Sequence, residues 1–155
     1  MQTDTRTVEH VDLGLTRLHR LWESPEIKRR FLELLGRPVE LSLVRTLRAI
    51  ERCGLDEPGV SDLAGLLNVD TSTASRFVEQ ATAGGYVRRD PSERDRRRCV
   101  VRLTGRGAEL LAAANVVRAT LLEELLSGWP DEDVAAFSAL LERFADSVAA
   151  LESRP

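Results

Sequence analysis

The chain has 155 residues, of which 43% are hydrophobic and 30% are charged, and its net charge is −3. This length and apolar content suit one compact domain with a buried core, and they exclude a wholly disordered chain. Two cysteines are too few for a secreted disulfide framework, and the first residues form no apolar signal segment. No apolar run approaches the ~20 residues that cross a bilayer. The sequence therefore predicts a cytoplasmic protein with no membrane span.

The charge is distributed unevenly along the chain. Residues 76–106 contain nine arginines and four acidic residues, a net charge of +5, whereas residues 107–155 have a net charge of −6. A short basic segment in an otherwise acidic protein is typical of polyanion binding. The overall negative charge therefore does not exclude nucleic acid as a partner.

The first 54 residues carry helical periodicity. Hydrophobic residues recur at spacings of three and four before and after a proline, which predicts one long or kinked helix that ends at Gly36. Leu43, Leu47 and Ile50 predict a second helix that ends at Gly54.

The middle of the chain has the pattern of a helix-turn-helix. Ser61 is a good N-cap for a short helix, residues 68–70 form a turn, and a second helix runs from Thr71 to the glycine pair at 84–85. Residues 86–89 and 99–103 are β-type runs, and the arginine-rich loop at 90–98 between them is typical of a hairpin tip. Helix, turn, helix and hairpin in this order predict a winged helix-turn-helix.

Two further helices follow the hairpin. Thr104 is a candidate cap for the first, and Pro130 precedes a last helix whose apolar residues form a continuous strip. We expect this strip to pack against the N-terminal helix, within one chain or across a symmetric dimer. The predicted fold is mainly α with a small β-hairpin wing. Residues 8–36 and 105–152 would form the dimerisation region, and residues 40–104 the DNA-binding lobe.

The candidate DNA-binding residues lie in the second helix and the wing. A recognition helix needs short polar side chains at its N-terminal turn and longer ones further along, and a wing needs cations for a narrow, A·T-rich minor groove. The candidates in the helix are Thr71, Ser72, Thr73, Ser75, Arg76 and Gln80. Those in the wing are Arg94, Asp95, Arg96, Arg97 and Arg98.

Five segments resemble the MarR family of bacterial transcriptional regulators. They are VSDLA at 60–64, TSTASR at 71–76, GGYVR at 84–88, DRR at 95–97 and LT at 103–104. The resemblance implies an intertwined homodimer that binds a pseudo-palindromic operator in double-stranded DNA. It also implies that Arg97 enters the minor groove, that Asp95 orients nearby arginines, and that a small phenolic or anionic ligand binds near the junction with the DNA-binding lobe. Trp22 lies in a region that can border this pocket, although a tryptophan is more often a core or interface anchor than a ligand platform.

Other functions have weaker support in the sequence. Cys53 and Cys99 could make the protein a redox-sensing regulator, although a lone cysteine is usually a small buried hydrophobe. A winged-helix module that binds an acidic protein is a second alternative. His10 and His19 lack metal-ligand spacing, and no nucleophile lies near a base, so we expect no metal, no cofactor and no enzyme activity. The favoured function is a DNA-binding repressor that a small ligand releases.

Overall fold

A computed structural model describes residues 4–95 and 97–152, apart from the side chains of residues 21–23 and 152. The predicted fold class, mainly α with a small β-hairpin, is confirmed. The elements are α1 (Thr5–Glu23), α2 (Pro25–Leu35), α3 (Leu41–Arg52), α4 (Val60–Leu67), α5 (Thr71–Ala83), β1 (Val87–Pro91), β2 (Cys99–Leu103), α6 (Gly105–Leu126) and α7 (Asp131–Glu152). The chain divides into two compact units, residues 1–118 and 119–155.

The prediction of one long or kinked N-terminal helix is wrong, because α1 and α2 are separate helices. Ser24 has φ −59° and ψ 128°, which is not helical backbone. A proline ring disfavours the helical conformation of the residue before it, so Pro25 ends α1 and begins α2. The left-handed Gly36 then ends α2, as predicted.

Helices α3, α4 and α5 form the helix-turn-helix of the first unit. The predicted N-cap of α4, Ser61, is wrong, because the helix begins two residues earlier and Gly59 is its cap. The backbone N–H of Gly59 donates to the carboxylate of Asp62 at 2.8 Å, which places an acid at the helix start. Asn68 ends α4 in the left-handed conformation, at φ 53°, and turns the chain into α5.

The core of the first unit joins the helix-turn-helix to the hairpin. Leu47 of α3, Leu63 of α4, Val78 of α5 and Val101 of β2 are fully buried. Burying each of these side chains contributes about 1.5–3 kcal/mol relative to exposure. The orientation of α5 is therefore fixed by packing on α3, α4 and β1.

The hairpin is an antiparallel pair with Val87 opposite Leu103 and Pro91 opposite Cys99. Thr104, the predicted cap of α6, accepts the N–H of Gly107 at 3.1 Å and donates to the carbonyl of Gly85 at 2.8 Å. This cap is confirmed, and it ties the start of α6 to the end of α5.

The second unit contains the end of α6 and all of α7. Trp129 packs on Phe137 with ring centroids 5.7 Å apart. The predicted strip of α7 is largely exposed, and it includes Leu141, Phe144 and Val148. Exposed apolar residues also follow α1 of the first unit at helical spacing, namely Val8, Val11, Leu15 and Leu18.

Candidate nucleic-acid interface

Asp70 organises the N-terminal turn of α5. Its carboxylate accepts the Thr73 N–H at 2.8 Å, the Thr73 hydroxyl at 2.7 Å and the hydroxyl of Ser72. These hydrogen bonds, that of Ser72 first, hold the pKa of Asp70 well below its usual range. The sequence analysis assigned Asp70 only to the turn, although aspartate directly before a helix is a strong capping signal. Ser72 and Thr73 therefore use their protons in the cap and present only their oxygen lone pairs to solvent.

The remaining candidates on α5 differ in their partners. Thr71 is exposed, and the hydroxyl of the half-buried Ser75 donates to the carboxylate of Glu79 at 3.1 Å. Arg76 is exposed, and its guanidinium carbon lies 5.8 Å from the centre of the Phe77 ring. Gln80, one turn further along, is also exposed. The polar face of α5 therefore presents the guanidinium of Arg76, the amide of Gln80 and several hydroxyl groups, with the carboxylate of Glu79 beside them.

The wing residues are held by hydrogen bonds within the turn. Asp95 accepts the backbone N–H of Arg97 on its carboxylate at 2.9 Å, and its carbonyl accepts the N–H of Arg98 at 2.9 Å. Asp95 thus orients the backbone of Arg97. Arg96 lies outside the described residues.

Two wing arginines contact acidic residues that the sequence analysis did not single out. Arg94 pairs with Asp56 at 3.0 Å, and Arg98 lies 3.5 Å from Asp62. Asp56 belongs to the loop between α3 and α4, far from the wing in sequence. No local sequence pattern indicates such a contact.

Acidic residues also neutralise the arginines of the strands. Arg88 and Arg102 both lie near Asp90, at 3.3 and 3.8 Å, and Arg89 lies 3.9 Å from Glu79. In the described part of residues 76–106, two arginine side chains have neither an acidic partner nor a hydrogen bond, those of Arg76 and Arg97. One lies on α5 and the other on the wing.

Tyr86 connects α5, the hairpin and α6. The guanidinium of Arg106 stacks over its ring at 4.4 Å, donates to its hydroxyl at 3.2 Å and donates to the carbonyl of Gly84 at 2.9 Å. A Cβ on Gly107 would lie 2.1 Å from the carbonyl oxygen of Tyr86, so only glycine fits there. This junction fixes the C-terminal end of α5 against α6.

The chain matches known proteins across α5 and the wing turn. A model of the MarR family matches residues 38–99. The transcriptional regulator HosA of Escherichia coli is 30% identical over 108 residues, which cover 68% of this chain and 79% of HosA. This chain belongs to the MarR family. YdgJ of Bacillus subtilis, an uncharacterized HTH-type transcriptional regulator, is 26% identical over 63% of this chain, and the match covers only 60% of YdgJ.

Solved MarR family structures have the same fold. A MarR family protein from Bacillus stearothermophilus has a TM-score of 0.78 at 20% identity, with 96% of this chain and 99% of that chain covered. Apo MarR of E. coli has a TM-score of 0.66 at 26% identity, with 84% of this chain and 96% of that chain covered. The winged helix-turn-helix described above is thus the fold of the MarR family.

The structure describes fewer contacts at the other candidate sites of this MarR family member. Cys53 is half-buried and Cys99 is exposed, and neither forms a disulfide. In the described ranges 4–95 and 97–152, no cluster of three His, Cys, Asp or Glu side chains could hold a metal, and no helix could cross a membrane. Trp22 lies in α1, but its side chain is outside the described residues.

Proposed function

We propose that this MarR family protein binds double-stranded DNA in a sequence-specific manner and regulates transcription. One observation carries the proposal. Within the described part of the basic segment, Arg76 of α5 and Arg97 of the wing are the arginines whose guanidinium groups have no acidic or hydrogen-bonding partner. Helix α5 would enter the major groove, where arginine binds guanine and the amide of Gln80 binds adenine. Arg97 would enter the adjacent minor groove.

The active form would be a homodimer. In support, α7 exposes Phe137, Leu141, Phe144 and Val148, and α1 exposes a second apolar row. An apolar strip exposed along one helix marks an interaction site, and a two-fold dimer would cover the same strips on both subunits. Two-fold symmetry then requires an operator with two half-sites about 34 Å apart.

A small phenolic or anionic ligand would release the operator, which makes the protein a repressor. Two hollows that share Pro38 favour this mechanism. One, of about 680 Å³, combines Pro25 and Leu32 with the cations Lys28 and Arg37. The other, of about 340 Å³, includes Phe77 and Gln80 of α5. A ligand that binds the first hollow more tightly at one position of Pro38 would favour that position, shift α5 and weaken DNA binding.

The test is selection of bound duplexes from a random pool by the purified protein at one fixed, near-physiological salt concentration. A palindrome with half-sites one helical turn apart is the expected result, and a failure to enrich any sequence would contradict the proposal. Salicylate, added to the selected complex, then tests release. Weaker binding by the wild type but not by Arg37→Gln supports the ligand site, whereas an equal response of both excludes it.

A further inference from the structure

Ser92 is an unusual residue at the base of the wing. It is only 4% exposed, whereas the turn residues that follow it are exposed. A buried hydroxyl must satisfy its hydrogen-bonding capacity within the protein, and a serine hydroxyl has one proton and two lone pairs. All three are used here. The hydroxyl donates to Glu57 at 2.6 Å and accepts the N–H groups of Arg94 and Asp95 at 3.1 and 3.0 Å.

Glu57 supplies the acceptor on which this arrangement depends. One carboxylate oxygen accepts the hydroxyl of Ser92, and the other accepts the backbone N–H of Glu93 at 3.0 Å. Glu57 lies 35 residues before Ser92 in the chain. The adjacent Pro58 accepts the N–H of Val101 in β2 at 2.8 Å, so the loop before α4 runs beside the hairpin.

A series of hydrogen bonds leads from Ser92 through Asp95 to Arg97. Ser92 holds the N–H of Asp95, and the Asp95 carboxylate holds the N–H of Arg97 at 2.9 Å. The other end of the turn is closed by the N–H of Ser92, which donates to the carbonyl of Arg98 at 2.9 Å. Every residue from 92 to 95 is thus tied directly or through one neighbour to the carboxylate of Glu57.

We propose that Glu57 is a positioning residue for DNA binding, whose carboxylate holds the wing turn in the conformation that presents Arg97 to the minor groove. This inference rests on the proposed function. A turn that is ordered before binding loses less conformational entropy when DNA binds, so affinity rises without a new contact. Glu57 itself would touch no DNA.

The charge of Glu57 makes the inference easy to test. An acid beside a DNA-binding wing repels phosphate, so its neutralisation should strengthen binding on electrostatic grounds alone. A positioning role predicts the opposite. Glu57→Gln keeps the size of the side chain but replaces one acceptor oxygen by an NH₂ donor, so it cannot hold Ser92 and Glu93 on two separate oxygens as Glu57 does.

The experiment compares Glu57→Gln with Glu93→Gln, both as the full chain, on the duplex selected by the wild type. Glu93→Gln removes the same charge from the same turn, and the exposed side chain of Glu93 makes no hydrogen bond or ion pair with the described residues. Amide hydrogen exchange of residues 93–97 in the free protein is measured in parallel. We expect Glu57→Gln to bind about tenfold more weakly and to exchange these amides faster. Glu93→Gln should bind at least as tightly as the wild type.

A second pair of variants tests the same contact from the wing. Ser92→Thr keeps the hydroxyl and should retain slow exchange, whereas Ser92→Ala removes it and should resemble Glu57→Gln. If Glu57→Gln binds DNA as tightly as the wild type, or if its wing amides exchange at the wild-type rate, the inference is wrong. If the wild type selects no duplex, the proposed function and the role of Glu57 in it are both overturned, and the exchange rates still decide whether Glu57 orders the wing.

Discussion

The guanidinium of Arg94 lies 3.0 Å from the carboxylate of Asp56, and this ion pair joins the wing to the loop before α4. Arg97, three residues later, has no such partner among the described residues. The arginines of the wing are therefore not equivalent. In the proposed complex Asp56 would compete with DNA phosphate for Arg94, whereas no described acid would compete for Arg97.

Asp56→Asn should strengthen DNA binding, because it releases Arg94 for a phosphate contact. The two side chains are 75% and 83% exposed, so the pair is weak and the gain should be about threefold. The binding constant should also depend more steeply on salt concentration, because about one more counterion is released from the DNA. Equilibrium titration of the selected duplex at several salt concentrations measures both. The gain should vanish in Asp56→Asn combined with Arg94→Ala, and a gain that persists there would show a general charge effect.

Asp70 should make stability depend on pH. Its pKa is lowered in the folded protein, so its contribution to stability is fully present above its ordinary value of 3.8 and is lost as the pH falls below that value. Asp70→Asn can still accept the N–H of Thr73 but cannot titrate. We expect the free energy of unfolding, from urea titrations, to fall more steeply in acid for the wild type than for Asp70→Asn. A constant difference between the two proteins at every pH would contradict this prediction.

Gly107→Ala should destabilise the protein, because the new Cβ would lie 2.1 Å from the carbonyl oxygen of Tyr86. The shift that this contact forces should reduce the free energy of unfolding by about 1–3 kcal/mol. Gly105→Ala is the matched control, since a Cβ there meets nothing within 4 Å. It should stabilise the protein by about 0.4–1 kcal/mol through the unfolded state. Chemical denaturation measures the free energy of unfolding of both variants. Equal changes in the two would contradict the close approach of Gly107 to the Tyr86 carbonyl.

Phe144→Glu should disrupt the proposed dimer. Phe144 lies on the exposed apolar strip of α7, and a buried, unpaired carboxylate there would be strongly unfavourable. Ala139→Glu places the same charge on the opposite face of α7 and should leave the dimer intact. Sedimentation velocity distinguishes the monomer from the dimer. A wild-type monomer, or a Phe144→Glu variant that remains dimeric, would exclude this strip as the interface.

Local sequence patterns predicted the elements of the lobe but not the contacts between distant segments. The periodicity and the glycine stops located α5, and the run of arginines located the wing, because each depends on neighbouring residues. The cap of α4 was misassigned to Ser61, since Gly59 has no side-chain signal and depends on the carboxylate of Asp62. The partners Asp56 and Glu57 were missed because they meet the wing only after α3 and β2 have packed together.

The measurement that tests the account most directly compares Arg97→Ala and Arg94→Ala on the selected duplex, with A·T-rich or G·C-rich flanks, at one salt concentration. Arg97→Ala should weaken binding about ten- to a hundredfold on A·T-rich flanks and less on G·C-rich flanks. Asp56 already neutralises the charge of Arg94, so Arg94→Ala should weaken binding by about threefold or less on both duplexes. If Arg97→Ala binds both duplexes like the wild type, the wing does not bind DNA through Arg97 and the central claim is wrong.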